Sequence, residues 1–343
     1  MRRALVAAGL ACAALVVLDV LLPRLLNPYY LTIASRIGIA IIAAVSLQLV
    51  NGFTGQFSIG HAGFMAIGAY GSAAASVYLG AGLLDGLAGV LPAPLARALY
   101  FPLPLLVGGL AAAAAGLLVG IPTLRLRGDY LAIATLGFGE IIRIGILNLD
   151  AVGGARGFSL ASPAYPAIDL RFEGLGGIYA VVVLSVLAIA RLVHAGGGLA
   201  FRAVGEDEIA AESIGVGATR VKVEAFVVSS FFAGVAGALF ALSEGYIHTN
   251  SFGFTRSFEI VVFVVLGGLG SLSGAIVAAA ALTAAPELLR GLGEWRMILY
   301  SLLLIATMWL RPQGLLGRRE LSLPRWRWRS LRLGARRAPA RAQ

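Results

Sequence analysis

The chain has 343 residues, 59% hydrophobic and only 13% charged, with a formal net charge of +10 and a mean hydropathy of +0.89. Soluble domains carry about 25% charged residues, so this composition excludes a soluble enzyme and a disordered chain alike. It is the composition of a polytopic membrane protein.

In chain order, Arg2 and Arg3 precede the apolar run Ala4–Leu22. That run reads as an uncleaved first helix rather than a signal peptide, because further spans follow it. Its Cys12 is the single cysteine of the chain, which excludes an intrachain disulfide framework and a cysteine-cluster metal site. Later blocks long enough to cross a bilayer are Tyr29–Val50, Phe57–Leu79, Leu99–Ile121, Tyr130–Leu149, Gly177–Val193, Ala225–Ser243, Ile260–Ala285 and Trp295–Leu310. None alternates with the period of a strand, so the expected fold is all-α rather than a β-barrel. Within Phe57–Leu79, Ala62, Ala66, Ala69 and Ala73 form a face that lets another helix approach closely.

Intramembrane ionisable groups are few. Asp19 and Arg36 fall near or within the first two blocks, and Glu140 and Arg143 share one face of the fifth. That last pair reads either as a self-neutralising ion pair or as part of a proton relay. The loop Ala195–Lys222 is charged, and its stretch Leu199–Gly217 reads as one short helix. Glu206, Asp207 and Glu208 stand in its first turn, where the helix dipole favours negative charge, and Gly215 and Gly217 stop it. Because it is amphipathic and acidic rather than basic, it is expected to dock on a protein partner rather than on lipid.

The block Ile260–Ala285 is interrupted by Gly267-Gly268-Leu269-Gly270-Ser271-Leu272-Ser273-Gly274. Each glycine destabilises helix by about 1 kcal/mol relative to alanine, so this block is expected to break and turn back at mid-membrane, as discontinuous helices do beside a cavity. Parity points the same way. Basic residues at both termini place both in the cytoplasm, which requires an even number of crossings from nine blocks. The expectation is about eight full transmembrane helices plus one broken, re-entrant block. Residues 1–317 then form one transmembrane domain carrying the loop 195–222, and residues 318–343 form a basic cytoplasmic tail. That tail holds nine arginines against the single acid Glu320. Attached to a membrane body, it suits anionic lipid headgroups rather than nucleic acid.

Lys222 is the chain's one lysine and no glycine-rich loop precedes it, so no Walker-type phosphate site is expected. His61, His194 and His248 are far apart in sequence, and neither a metal site nor a catalytic constellation is legible.

Several stretches carry a family resemblance. Ala210-Ala211-x-x-x-Gly215 resembles the cytoplasmic coupling motif of ATP-binding-cassette (ABC) importer permeases, with Ile209 where the usual form has glutamate and Glu208 one residue earlier. Gly52-Phe53-Thr54-Gly55-Gln56-Phe57-Ser58-Ile59-Gly60-His61-Ala62 is similar to a signature of branched-chain amino acid permeases. So are Leu124–Leu136, Val264–Ser271 and Arg311-Pro312-Gln313-Gly314-Leu315. From about Leu31 to Gly317 the chain resembles the LivM-type subunit of that family. One departure is Arg156, within Gly153-Gly154-Ala155-Arg156-Gly157-Phe158, where the family often has Gly-Gly-x-x-Gly-Leu.

The resemblance implies a bacterial inner-membrane permease subunit without its own ATPase site, importing leucine, isoleucine and valine by alternating access. It implies a second LivH-like permease, two ABC ATPase subunits that bind ATP and Mg, and a periplasmic substrate-binding protein. It gives Arg202, Gly205, Glu206, Asp207, Glu208, Ala210, Ala211 and Gly215 as the ATPase-coupling residues. Gln56, Ser58, His61, Gly267, Gly268 and Gly270 are candidates for the substrate pathway. For His61 the residue reading leaves open a hydrogen-bonded helix start or a contact with the pathway. For Gln56 and Ser58 it leaves open the solute or neighbouring helices, and for Arg125, Arg127 and Asp129 a topology-setting turn or a second ATPase contact. Competing functions are the same machine importing urea or short amides, a self-sufficient carrier or channel, and a membrane-embedded enzyme.

Overall fold

The computed structural model describes residues 27–89, 92–126, 128–161, 170, 172, 174–311 and 313–317. The expected first span Ala4–Leu22 with Cys12 and Asp19, residue Arg127 and the arginine tail lie outside these residues. Among those described, eight helices are long and apolar enough to cross a membrane, and a ninth, shorter apolar helix follows them. The strands are a two-residue pair, β1 (Phe158–Ser159) and β2 (Tyr246–Ile247), joined antiparallel.

Helix α1 (Pro28–Gln48) runs on as a π-helical turn, Leu49–Phe53, and α2 (His61–Ala75) as another, Ser76–Gly80. Two short helices, α3 (Ala81–Ala88) and α4 (Ala93–Tyr100), lead into α5 (Pro102–Thr123), followed by α6 (Asp129–Leu147) and α7 (Leu175–His194). Then come α8 (Gly198–Glu206), α9 (Glu208–Ser213) and the long α10 (Ala218–Glu244). The chain continues through α11 (Phe254–Gly267), α12 (Leu272–Leu288) and α13 (Trp295–Leu310).

At the centre, α2, α5 and α10 meet backbone against backbone. A Cβ on Gly108 would lie 2.6 Å from the Gly68 carbonyl oxygen, and one on Gly234 would lie 2.6 Å from the Gly108 carbonyl oxygen. Ala62, Ala66, Ala69 and Ala73 are all buried, as the small-residue face predicts. Between helices immersed in lipid, van der Waals contact replaces the hydrophobic drive, and small residues make that contact close. The apolar stretches of α1 and α10 are 78% and 72% buried against 22% for α6, so the first two lie at the interior of the bundle and the last at its rim.

Three boundaries depart from expectation. The expected block Phe57–Leu79 starts its helix at His61 rather than Phe57, because Thr54–Gly60 is a non-helical loop that packs back into the bundle. Leu199–Gly217 is two helices rather than one. Asp207 is extended (φ −156°, ψ 113°), so Glu206 closes α8, and the Asp207 carboxylate caps α9 by accepting from the backbone N–H of Ile209 (2.9 Å) and Ala210 (3.0 Å). The glycine-rich block does break, at Gly268–Ser271, but its arms with their flanking turns are each membrane-length (Thr249–Gly267 and Leu272–Leu292). The elbow therefore sits beside Gly52, near the α8–α9 end of the bundle, and not halfway along.

Candidate functional site

Two groups of residues converge at the α8–α9 end. The first is the loop after α1. Asn51 clamps it from both sides, its Nδ2 donating to the Ser58 carbonyl (3.3 Å) and its Oδ1 accepting from the Ser58 N–H (3.2 Å). Gly55 turns with φ +66°, a region closed to most side chains. The Ile59 N–H donates to Thr135 Oγ1 of α6 (3.1 Å), and the Ala62 N–H to Ser257 Oγ of α11 (3.0 Å). A Cβ on Gly60 would collide with the Thr135 carbonyl. His61 opens α2, buried, with its Nε2 2.8 Å from Ser46 Oγ. Ser46 Oγ itself donates to the Ala43 carbonyl (2.9 Å), so the imidazole Nε2–H is the donor to Ser46. His61 thus opens the helix with its ring hydrogen-bonded to α1. Gln56 is 4% exposed, and neither atom of its amide has a hydrogen-bond partner among the described residues. Orphaned polar atoms at such burial cost free energy unless water or solute meets them.

The second group is the elbow between α11 and α12. Gly268 (φ +107°) and Gly270 (φ +86°) reverse the chain, and Gly267 and Gly274 touch so closely that a Cβ on either would strike the other. Gln48 Nε2 donates to the carbonyls of Gly268 (2.8 Å) and Ser271 (3.2 Å). The segment after α13 closes the elbow from the other side, where the Leu315 N–H donates to the Leu266 carbonyl (2.7 Å). A Cβ on Gly52 would lie 2.6 Å from the Gly270 nitrogen, so loop and elbow are in direct backbone contact. Gln48, Ser46, Thr135 and Ser257 hold this junction, and sequence reasoning did not select them. A lone polar residue inside an apolar span was the available signal.

Helices α8 and α9 lean on the same junction. Gly205 lies against the Phe53 carbonyl and Gly55, and the Arg202 guanidinium stands 5.8 Å from the centroid of the Phe53 ring. Ala211 is buried, and Glu208 Oε2 pairs with Lys222 Nζ of α10 at 2.7 Å. Ile209 and Ile214 face outward, 70% and 77% exposed. Gly215 (φ +88°) ends the helix, its N–H donating to the Glu212 carbonyl (3.0 Å). Glu206 and Ala210 are exposed. Arg202, Gly205, Glu208 and Ala211 therefore face the body, while Ile209, Ala210 and Ile214 face away from it.

At the opposite end, the Tyr29 hydroxyl donates to Glu287, and Arg36 pairs with Glu244 at 2.9 Å. The segment Gly153–Ser159 is clasped onto β2: the Tyr246 hydroxyl donates to the Arg156 carbonyl (2.7 Å) and leaves the Arg156 side chain on the surface. Glu140 and Arg143 form the ion pair that their spacing suggests, at 2.7 Å.

Among the described residues, a helical body with eight membrane-length spans, a glycine elbow and a two-helix projection at one end defines a multi-pass membrane protein. Residues 29–308 match the family described as branched-chain amino acid transport system, permease component, and the chain belongs to that family. It is of the LivM type. It is 39% identical to the high-affinity branched-chain amino acid transport system permease protein LivM of Salmonella typhimurium, over 88% of this chain and 73% of that protein, and equally to LivM of Escherichia coli. LivH of Salmonella typhimurium is 30% identical over 50% of this chain and 53% of that protein. No solved structure matches the chain.

Proposed function

We propose that this chain is the LivM-type permease subunit of an ABC importer of branched-chain amino acids in the bacterial inner membrane. The observation that carries the reading is the family match over residues 29–308. The α8–α9 projection supports it. Its inner face is anchored through Gly205, Ala211 and the Glu208–Lys222 pair, while Ile209 and Ile214 present an apolar edge to a partner. An ATPase subunit that binds ATP and Mg docks on this edge from the cytoplasm. Its closure pushes α8 against Phe53 and Gly55, and through Gly52 the push reaches the elbow at Gly270. The pathway residues Gln56, Ser58, His61, Gly267, Gly268 and Gly270 thereby shift with nucleotide state. A LivH-like second permease completes the membrane body, a periplasmic binding protein delivers solute at the opposite end, and residues 318–343 contact anionic lipid.

The test is uptake by proteoliposomes containing this chain, the second permease, the two ATPases and the binding protein. Leucine uptake requires internal ATP, urea and acetamide are not taken up, and this chain alone is inactive. Ala211→Pro removes the Ala211 N–H···Asp207 carbonyl bond (3.0 Å) inside α9 at about 3 kcal/mol. It abolishes ATPase co-purification and uptake while membrane abundance stays near normal. ATP-independent leucine uptake by the single chain overturns the reading, and so does full uptake by Ala211→Pro.

A further inference from the structure

A cavity of about 350 Å³ lies between α1, α2, α10, α11 and α12, apart from the loop and elbow residues above. Its size falls within the range of small-molecule pockets. Arg256, in the first turn of α11, is about 16 Å along that helix from its Gly267 end at 1.5 Å per residue. Ile33, Arg36, Pro286 and Glu287 are part of the lining, so the cavity lies toward the end of the bundle opposite α8–α9.

Its lining combines two chemistries. Arg36, Arg256, Glu259 and Glu287 supply two cations and two carboxylates, which together carry no net charge. Met65, Phe240, Phe252 and Leu282 supply an apolar wall. Arg256 Nη1 pairs with Glu259 Oε2 at 2.8 Å, and Glu287 is engaged by the Tyr29 hydroxyl through Oε2, so each acid is held through one oxygen. Thr283 Oγ1 is buried in this lining and has no hydrogen-bond partner among the described residues. Arg256 and Glu259 lie within the apolar span Thr249–Gly267, where charged side chains are expensive and mark a solute path when they are not needed to hold helices together. Arg256 and Glu259 are i,i+3 neighbours on one helix, so their bond ties no two elements.

We propose that this cavity is the resting site of the solute in transit and that it selects a zwitterion with a small apolar side chain. Arg256 receives the α-carboxylate, Glu259 receives the α-ammonium, and the branched side chain lies on Met65, Phe252 and Leu282. The entering zwitterion exchanges one internal ion pair for two charge-assisted ones. Thr283 Oγ1 donates to the carboxylate. An uncharged amide satisfies neither pole, and a ligand with one charge leaves the opposite pole unanswered. This deepens the reading above and rests on it.

The experiment uses the assembled transporter with Thr283→Cys in a Cys12→Ser background, and measures alkylation of residue 283 by a small thiol reagent. Leucine slows the reaction at least fivefold at saturation. Leucinamide (no carboxylate) and 4-methylpentanoate (no ammonium) need concentrations at least tenfold higher for the same protection, and urea gives none. Adding Glu259→Gln raises the leucine concentration for half-protection at least tenfold. If that variant does not assemble, the leucinamide and 4-methylpentanoate comparison decides alone. Leucine uptake without protection at residue 283, or equal protection by leucine and leucinamide, overturns the site and leaves the transport reading standing. Absence of leucine uptake by the unaltered transporter overturns the transport reading itself.

Discussion

Glycine has two distinct roles in this chain. At Gly237, in α10, a Cβ would strike the Met65 carbonyl of α2, whereas at Gly137, in α6, nothing lies within 4 Å. Gly237→Ala must push two central helices apart. Overpacking of this kind costs about 1–3 kcal/mol or more, so its thermal unfolding temperature in detergent and its membrane abundance both fall. Gly137→Ala relieves only a helix-propensity penalty and leaves both unchanged or slightly higher. Gln48 shows that one polar side chain can hold an elbow. Gln48→Leu deprives the Gly268 and Ser271 carbonyls of their side-chain donor, at about 1–3 kcal/mol for unmet buried groups. The expected readout is faster proteolysis or cysteine labelling within 268–271, with the remaining helices intact.

Among elements, α9 is too short to hold itself together. A single turn is unfavourable in isolation, so its shape depends on the Asp207 cap, the Gly215 stop and the tether to α10. Asp207→Ala loses two capping bonds, about 1 kcal/mol, and Asp207→Asn keeps most of them. Glu208→Gln leaves Lys222, 9% exposed at its side chain, without its charged partner, at about 3 kcal/mol as the low end for a buried pair. The double variant Glu208→Lys with Lys222→Glu restores much of that loss. Hydrogen exchange of the α9 amides reads both effects: exchange rises in Asp207→Ala and in Glu208→Gln, and falls back in the charge swap. If Glu208 instead met only the ATPase, Glu208→Gln would leave exchange unchanged and weaken co-purification alone. The π turn Leu49–Phe53 at the end of α1 belongs to this scale too. Such turns recur at functional sites, and this one joins Phe53, which α8 touches, to Gly52, which the elbow touches.

For the whole molecule, the elbow decides the sidedness of everything after it. With the α8–α9 end in the cytoplasm, the arms α11 and α12 form a hairpin and Glu287 and Glu294 emerge on the opposite face with Tyr29. Cysteines at Glu294 and at Ile209, each in a Cys12→Ser background, react with an impermeant maleimide from opposite sides: Glu294→Cys from the periplasm and Ile209→Cys from the cytoplasm. Labelling of both from one side overturns this topology. Much of this architecture was legible in one dimension. Crossing helices declare themselves through apolar runs, because bilayer thickness imposes a length on each of them. The break at Gly268–Ser271 was legible because four glycines in eight residues weaken helix locally. The depth of that break was not, because it depends on where α1 ends and on the backbone contact of Gly52 with Gly270. Nor was the split at Asp207, since an acidic residue suits both a first turn and a cap, and only its extended backbone distinguishes them.

Fold class, the small-residue packing face and the family resemblance are thus properties of local composition and order, and the amino-acid sequence determined them by itself. The junction and the cavity are properties of pairs remote in the chain. Gln48 meets Gly268 across 220 positions and Arg36 meets Glu244 across 208, while Arg256, Met65 and Thr283 come from three helices to line one space. Hydropathy and spacing carry no record of such meetings. They arise where glycines let backbones touch and where scarce polar side chains, unable to reach water, find one another across the bundle. Only the tertiary structure decided those.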